Sequence, residues 1–162
     1  MPSERRLHVS EESIATVETI QSILLAKGSQ VWALPPAATV YEAIALMAEK
    51  GVGALVVTSG EKPDGIISER DYARKVILKG KSSRETLVRE IMTSPVITVN
   101  PRQNVLECMR IMTAHRIRHL PVLDQERLAG MISIGDLVNS ILSAQAETIQ
   151  HLRRYVTGEY PG

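Results

Sequence analysis

The sequence predicts a mixed α/β (α+β) fold in which two β-α-β-β-α repeats pack on each other, flanked by an N-terminal and a C-terminal helix. The first observation is an internal repeat, because residues 31–77 align without a gap with residues 96–142. The second is that apolar residues in each copy alternate between helical spacing and short continuous runs. Two copies of this length are too few for a solenoid, so a tandem pair packed on each other fits better. Identical aligned positions include Pro36 and Pro101, Gly65 and Gly130, Ser68 and Ser133, and Asp71 and Asp136.

Short apolar runs bounded by turn-forming residues predict three strands in each copy. A proline follows the first run closely in both copies. The stretches SGEKPDG and DQERLAG separate the second run from the third. The predicted strands are 31–34, 54–58 and 65–68 in the first copy, and 96–99, 120–124 and 130–133 in the second.

Helical spacing of apolar residues predicts two helices in each copy and one more at each end. Thr39 with Glu42, and Asn104 with Glu107, have the capping-box pattern of a helix start. The predicted helices are 11–25, 39–49, 69–78, one that opens at Asn104, 134–142 and 143–156. We therefore divide the chain into an N-terminal helix region (1–25), a first repeat (26–80), a second repeat (86–143) and a C-terminal helix with its tail (144–162), with 79–87 as a polar linker.

Composition and charge argue against several classes of protein. The formal net charge is +1, so no global field draws the chain to nucleic acid or to an anionic membrane. No apolar run approaches the roughly 20 residues of a bilayer span, and the first residues contain no apolar signal core. The single cysteine, Cys108, cannot form an internal disulfide and suits a reducing compartment. We expect a cytoplasmic protein that binds neither nucleic acid nor membrane.

The sequence resembles a known family, the tandem CBS domains that form a Bateman module. The resemblance is carried by residues 91–138, which include RIRHLPVLD and GMISIGDLV, and by the more divergent residues 23–77. The stretch SERDYARKV and the tail YVTGEYPG are similar to the small bacterial stand-alone type of the family. The resemblance implies that the two repeats are related by pseudo-twofold symmetry and that two clefts between them bind adenosine compounds such as AMP, ADP, ATP or NAD. It also implies a regulatory role without catalysis and a homodimer, in which four repeats form a flat disk.

The repeated Ser-x-x-Asp motif has two interpretations. Ser68 with Asp71, and Ser133 with Asp136, lie where a predicted strand runs into a helix. A carboxylate accepts hydrogen bonds from both hydroxyls of a ribose, and the serine hydroxyl and free N–H groups of a helix start reach phosphate. The same spacing is also a capping box that needs no ligand. The family resemblance favours a ligand contact by at least one aspartate, and both roles can coexist.

Basic residues are distributed unequally between the copies. In the family, cations at the start of the second strand reach the ligand phosphates, and Arg118 with His119 match those positions. The first copy instead carries Arg70, Arg74 and Lys75 after its serine. The alternative interpretation of the basic stretch at 115–119 is a solvated helix end, where cations favour the helix dipole. Metal binding by its two histidines is not expected because no third ligand is evident nearby.

The entry to each first strand lines the adenine pocket in the family. The first copy departs from the family pattern there, since it is two residues longer and lacks a proline before its strand. In the second copy, Thr93 has the chemistry to bond ribose or phosphate. The resemblance places these candidate ligand contacts at Lys27, Gly28 and Val31 in the first copy and at Thr93, Pro95 and Val96 in the second.

Three functional hypotheses remain. The first is a non-catalytic sensor of an adenosine nucleotide, with no required cofactor, that regulates a protein not identified by the sequence. The second is a structural homodimer, in which the Ser-x-x-Asp motifs only cap helices. An enzyme is disfavoured because the chain has no P-loop, no GxSxG motif and no paired Cys and His nucleophile pattern. The acids that stand out occur once per copy, whereas catalytic acid–base pairs converge on one centre.

Overall fold

Each copy folds around a small sheet covered by helices, in a computed structural model that describes residues 18–157. In the first copy the strands are β1 (Ala33–Leu34), β2 (Ala54–Val57) and β3 (Gly65–Ser68). β1 runs parallel to β2, and β2 runs antiparallel to β3. In the second copy β4 (His119–Asp124) pairs antiparallel with β5 (Arg127–Ser133). The predicted α+β class and the strand–strand–helix order of each copy are thus observed.

The first predicted strand is shorter than expected in one copy and absent from the other. Residues 31–34 form only the two-residue β1, and residues 96–99 make a single isolated bridge, between Val99 and Val122. In the first copy the Val56 N–H donates to the Trp32 carbonyl. The position equivalent to Val56 is Pro121, which has no N–H, so this ladder bond cannot form in the second copy.

The helices end differently from the prediction at several points. They are α1 (Ile20–Lys27), α2 (Val40–Lys50), α3 (Glu69–Lys75), α4 (Val88–Ile91), α5 (Val105–His115) and α6 (Ile134–Thr157), with a 3-10 turn at Ile77–Lys79. The predicted helix 11–25 is helical only from Ile20 among the described residues, since Thr19 is extended and caps α1; residues 11–17 lie outside the described residues. The predicted helices 134–142 and 143–156 are one helix, because no Gly or Pro follows Gly135 before Thr157 to interrupt it. The predicted helix 69–78 stops at Lys75, and α4 was not predicted.

The segment that precedes each copy packs on the other copy. Helix α1 places Ile20, Ile23 and Leu24 in the hydrophobic core of the second copy. Helix α4 places Val88 and Ile91 in the core of the first. Backbone bridges between Thr19 and Asn104 and between Thr39 and Leu87 anchor the two segments. Each core is therefore completed by residues that lie next to the other copy in the sequence, which joins the two copies into one folding unit.

Both first helices begin at the predicted caps. Thr39 and Glu42 form a complete capping box, and the Asn104 side chain accepts from the Glu107 N–H. Both helices also end in a left-handed residue, which is Gly51 in the first copy and Arg116 in the second. Cys108 on α5 is fully buried, and burial followed by the charge of Glu107 raises the pKa of its thiol to about 11.

Candidate functional site

A cavity of about 800 Å³ lies where the two copies meet. The first copy contributes the end of β3 and the start of α3, and the second contributes the turn between α5 and β4 and the segment before its sheet. Its lining residues are Gly53, Ile66, Ser68, Glu69, Arg70, Asp71, Arg74, Thr93, Ile97, His115, Arg116, Ile117, Arg118, His119 and Ile134. Its volume is within the usual range for a small-molecule site.

Ser68 and Asp71 stand on one wall of this cavity in a formed capping box. The Ser68 hydroxyl accepts from the Asp71 N–H at 3.2 Å, and Asp71 Oδ2 accepts from the Ser68 N–H at 2.9 Å. Lys75 donates to Asp71 Oδ1 at 3.1 Å and to the Ile91 carbonyl at 2.9 Å. The carboxylate is thus fixed on the cavity wall, and a carboxylate retains acceptor capacity beyond these bonds. In this copy the motif caps α3, and the Asp71 carboxylate can still accept further hydrogen bonds from a ligand.

Cations line the cavity from both copies. Arg70 and Arg74 project from α3, whereas Arg116 and Arg118 flank the short turn between α5 and β4. Among residues 18–157, none of these four guanidinium groups has an ion pair or a hydrogen bond with the protein. The acids that line the same cavity are Glu69 and Asp71, and Lys75 already neutralises the second. The cavity therefore carries a surplus of positive charge.

His119 is the most enclosed cation candidate on this wall. Burial lowers the pKa of its imidazole, and Lys27 and Arg118 lower it further, while Asp136 and Glu69 oppose the shift. A Cβ added at Gly53 would lie 3.7 Å from His119 Cε1, so the glycine opens space beside the ring. The lowered pKa of His119 favours the neutral ring near pH 7, and an anionic ligand would favour its protonation.

Thr93 reaches the cavity through a backbone pairing with β3. Its N–H donates to the Ile66 carbonyl at 2.9 Å, and the Ile66 N–H donates back to the Thr93 carbonyl at 3.1 Å. Pro95 and Val96, which follow it, do not line the cavity, but Ile97 does. The threonine hydroxyl and two isoleucine side chains thus give this end of the cavity a polar atom beside apolar walls, as the planar face of a base requires.

The second Ser-x-x-Asp motif lies outside this cavity and has a different partner. Asp136 Oδ2 accepts from the Ser133 N–H at 2.8 Å and from Lys27 Nζ at 2.7 Å. Lys27 Nζ also donates to the Met131 carbonyl at 2.9 Å. Burial acts to raise the pKa of Asp136, but hydrogen bonds from Lys27 and Ser133 outweigh it and keep the pKa below its ordinary value. Lys27 therefore contacts the predicted ribose-binding carboxylate of the other copy.

The structure separates the predicted contacts into two groups. It brings Ser68, Arg70, Asp71, Thr93, Arg118 and His119 to one cavity. It places Lys27 against Asp136, which forms the capping box with Ser133, and Gly28 ends α1 with a left-handed φ of 96°. Val31, half-buried before β1, lines neither group of contacts.

Sequence reasoning left several lining residues out. Arg74 and Arg116 have the charge that phosphate binding needs, but their direction depends on how the two copies pack. Ile66 lies in a predicted strand, where the continuous apolar run does not show which of its side chains faces a cavity. Nothing in the sequence marks Gly53 or Ile97 as cavity residues.

Comparison with known proteins gives a consistent result. A family model described as CBS domain matches residues 28–77 and 88–143. The CBS domain-containing protein CBSX3, mitochondrial, of Arabidopsis thaliana is 42% identical over 160 residues, which is 93% of this chain and 77% of the relative. A solved structure with CBS domains from Burkholderia ambifaria MC40-6 is 53% identical, with a TM-score of 0.77 over 79% of this chain and 96% of that one.

A second similar structure was solved with a nucleotide. It is a CBS domain protein from Pyrobaculum aerophilum complexed with AMP, which is 28% identical with a TM-score of 0.70 over 80% of this chain and 99% of that one. In residues 18–157, no helix combines the length and the apolar character that crossing a bilayer demands. The same residues contain no group of three or more His, Cys, Asp or Glu side chains placed to hold a metal ion.

Proposed function

The chain belongs to the CBS-domain family, and from this premise we propose that it is a regulatory module that binds an adenosine nucleotide in the cavity beside Asp71. The observation that carries the proposal is the convergence of one carboxylate, one threonine and four guanidinium groups, which have no ion pair within residues 18–157, on a single cavity. That combination matches a nucleoside phosphate, which offers hydroxyl donors, a flat apolar base and anionic oxygens. The AMP complex of the Pyrobaculum aerophilum protein supports the ligand class.

The proposed binding mode follows from the positions of these groups. Asp71 accepts from the ribose hydroxyls, while Thr93, Ile66 and Ile97 face the nucleoside. Arg118, His119 and Arg70 face the phosphates, since a guanidinium fork suits phosphate oxygens. AMP, ADP, ATP and NAD share these features. Because both copies line the cavity, binding biases their relative packing by the ligand's differential affinity for the two arrangements. A regulated protein reads that shift, without a chemical step in this chain.

The second candidate is a structural homodimer that binds no ligand. The observation that favours it is the complete capping box at both Ser-x-x-Asp motifs, which explains the motif without a nucleotide. Homodimers are also the commonest oligomers. The sensor hypothesis includes a homodimer of two repeat pairs as well, so dimerisation alone does not distinguish the two. The cytoplasm stays the proposed compartment, in keeping with the single, buried Cys108.

Ligand-dependent thermal unfolding of Asp71→Ala and Asp136→Ala tests the proposal. Each variant removes the carboxylate of one capping box, so the two are matched in their structural cost. A ligand at about 100 times its dissociation constant adds about 2.7 kcal/mol to the free energy of unfolding. For a chain of this size that raises Tm by roughly 5–10 °C. We expect AMP or another adenosine nucleotide to shift the wild type and Asp136→Ala, but not Asp71→Ala.

Other outcomes have equally definite meanings. Loss of the shift in Asp136→Ala alone would move the binding site to the cleft of Lys27 and Ser133. If no adenosine compound shifts the wild type and both variants merely melt lower, the motifs are caps and the structural homodimer is the better account.

A further inference from the structure

The four arginines of the cavity are a departure from the internal repeat. The positions 65 residues away from Arg70, Arg74, Arg116 and Arg118 hold Gly135, Asn139, Gly51 and Gly53. None of these equivalents is cationic, so the duplication that explains Ser68 and Asp71 does not explain the arginines. Two come from α3 of the first copy and two from the turn before β4 of the second. Both copies therefore contribute positive charge to the same cavity.

Arg116 has an unfavourable backbone conformation. It ends α5 with a φ of 53°, in the left-handed region where a Cβ crowds the backbone. The first copy has Gly51 at the equivalent position, with a φ of 65°. Among the described residues, the other non-glycine residues with positive φ are Gln125 and Glu126, in the tight turn between β4 and β5, where such geometry is ordinary. A side chain retained in a strained conformation is motivation for a functional role.

The number of guanidinium groups exceeds what one phosphate needs. A single phosphate presents three terminal oxygens, which one or two bidentate guanidinium groups satisfy. Four guanidinium groups, none of which has an ion pair or hydrogen bond within residues 18–157, line one cavity of about 800 Å³ that Asp71 also lines. Without an anion, the mutual repulsion of these charges is unfavourable. A chain of phosphates extending from the nucleoside toward Arg74 and Arg116 would pair all four.

We propose that the cavity selects a nucleotide with at least two consecutive phosphates over a nucleoside monophosphate, and that Arg116 and Arg74 are the residues that make this selection. The inference rests on the proposed nucleotide-binding function and adds to it the phosphate number. Asp71 and Arg118 serve any adenosine nucleotide, whereas Arg116 and Arg74 contact the outer phosphates. The distinction is between an adenosine di- or triphosphate, or a dinucleotide with its internal diphosphate, and AMP.

Isothermal titration calorimetry of the full chain tests this with Arg116→Gly, which reproduces the first copy's residue. The ligands are AMP, ADP, ATP, NAD and inorganic tripolyphosphate, without added divalent metal. We expect ATP and ADP to bind the wild type more tightly than AMP does. Arg116→Gly should weaken ATP and tripolyphosphate about tenfold or more, as the loss of one charged hydrogen-bond pair implies, and leave AMP close to its wild-type affinity.

Matched variants separate a binding role from a folding role. Arg116→Gly removes the left-handed strain, so its ligand-free Tm should be unchanged or higher while its ATP affinity falls; a purely structural residue does not give this pair of results. Arg74→Gln should have the same ligand dependence. Arg102→Gln removes one exposed charge outside the cavity lining and should leave all affinities at the wild-type values.

The contrary results are also distinguishable. Equal wild-type affinity for AMP and ATP, or an equal loss of both in Arg116→Gly, would overturn the phosphate selection while leaving nucleotide binding intact. Tripolyphosphate binding without any nucleotide binding would support the polyphosphate site and overturn the proposed adenosine ligand. NAD binding more tightly than ATP, and weakened in Arg116→Gly, would support the inference with a dinucleotide as ligand. No binding by any of the probes would overturn both proposals.

Discussion

His119 illustrates how a single residue connects the two copies. It begins β4 on the cavity wall, where the aligned position of the first copy is Ala54. The charged groups that act on the imidazole are Asp136, Lys27, Arg118 and Glu69, and they come from both copies and from α1. Burial is the dominant influence and makes the neutral ring the favoured form in the folded state. The unfolded chain therefore binds this proton more readily than the native protein does.

We expect this difference to make stability depend on pH. Below the ordinary histidine pKa of 6.5, the unfolded state binds a proton at His119, whereas the native state does not until the pH reaches its lowered pKa. The free energy of unfolding then falls as pH is lowered, by up to about 1.4 kcal/mol per pH unit from this one group. It continues to fall until the pH reaches the lowered pKa of the folded state. Urea unfolding of ligand-free protein at several pH values between 7.5 and 5.5 measures the slope.

The variant His119→Gln should flatten that slope, because it removes the titrating group. Thr93→Ser is the matched control, since Thr93 lines the same cavity without carrying a titratable group, and it should keep the wild-type slope. An unchanged pH dependence in His119→Gln would show that the coupling of folding to protons lies elsewhere.

At the scale of elements, the segments that pack on the opposite copy explain the glycines at two aligned positions, Gly65 in β3 and Gly130 in β5. A Cβ on Gly130 would lie 2.6 Å from Leu24 Cδ2 of α1, and one on Gly65 would lie 2.7 Å from Met92 Sδ. The Gly65 site is the more rigid, because the same Cβ would also lie 2.9 Å from the Thr93 carbonyl oxygen. Glycine is therefore needed at Gly65 and Gly130 because a larger residue would clash with the segment that packs there. Neither glycine has a positive φ.

Gly65→Ala is expected to destabilise the protein by about 1–3 kcal/mol, the usual cost of overpacking a buried site. The displaced groups are Met92 and the backbone at Thr93, so the cavity edge formed by Thr93 should shift as well. Denaturant unfolding measures the first effect, and the Thr93 amide resonance in an NMR spectrum reports the second.

Gly60→Ala provides the control within the same copy. A Cβ at Gly60 meets no atom within 4 Å, so stability should change by less than about 0.5 kcal/mol. Gly130→Ala should fall between the two, because only the flexible end of Leu24 has to move. A Gly65→Ala variant as stable as Gly60→Ala would contradict the packing argument.

At the scale of the whole molecule, α6 leaves an apolar stripe without a partner in the described chain. Val138, Leu142, Ile149, Leu152 and Val156 are between 40% and 83% exposed. Their spacing of three, four or seven residues places them on one face of the helix, as in a coiled-coil seam. The first part of α6 packs on the second copy through Leu137, and the rest extends away from that core. A homodimer would bury this stripe, as proposed above.

We expect Ile149→Asp to shift the protein from dimer to monomer in sedimentation equilibrium. A charge in the middle of the seam must be desolvated on association, and this cost opposes dimer formation. Gln150→Asp introduces the same residue one position away, on the outer side of the seam, and should remain a dimer. Retention of the dimer in both variants would place the interface on another surface.

The sequence by itself determined the features that depend on short-range contacts. The repeat, the alternation of strands and helices, and the caps at Thr39, Asn104, Ser68 and Ser133 rest on apolar spacing and on hydrogen bonds between residues three positions apart. Pro121 also explains why residues 96–99 of the second copy form no strand. Proline has no N–H to donate to this segment, as Val56 donates to Trp32 in the first copy. The family resemblance then identified six of the residues that line the cavity.

Only the tertiary structure decided which of these residues share a site. The bond from Lys27 to Asp136 joins residues 109 positions apart, and α1 and α4 each complete the core of the other copy. The convergence of Arg70 and Arg74 with Arg116 and Arg118 likewise depends on how one copy faces the other. The two copies are similar enough in sequence to predict each repeat, but the packing between them is set by side chains that differ. Periodicity in the sequence indicates only which face of a single helix or strand is buried. The direction of these side chains toward a shared cavity is fixed only when the two copies pack, so the sequence could not predict it.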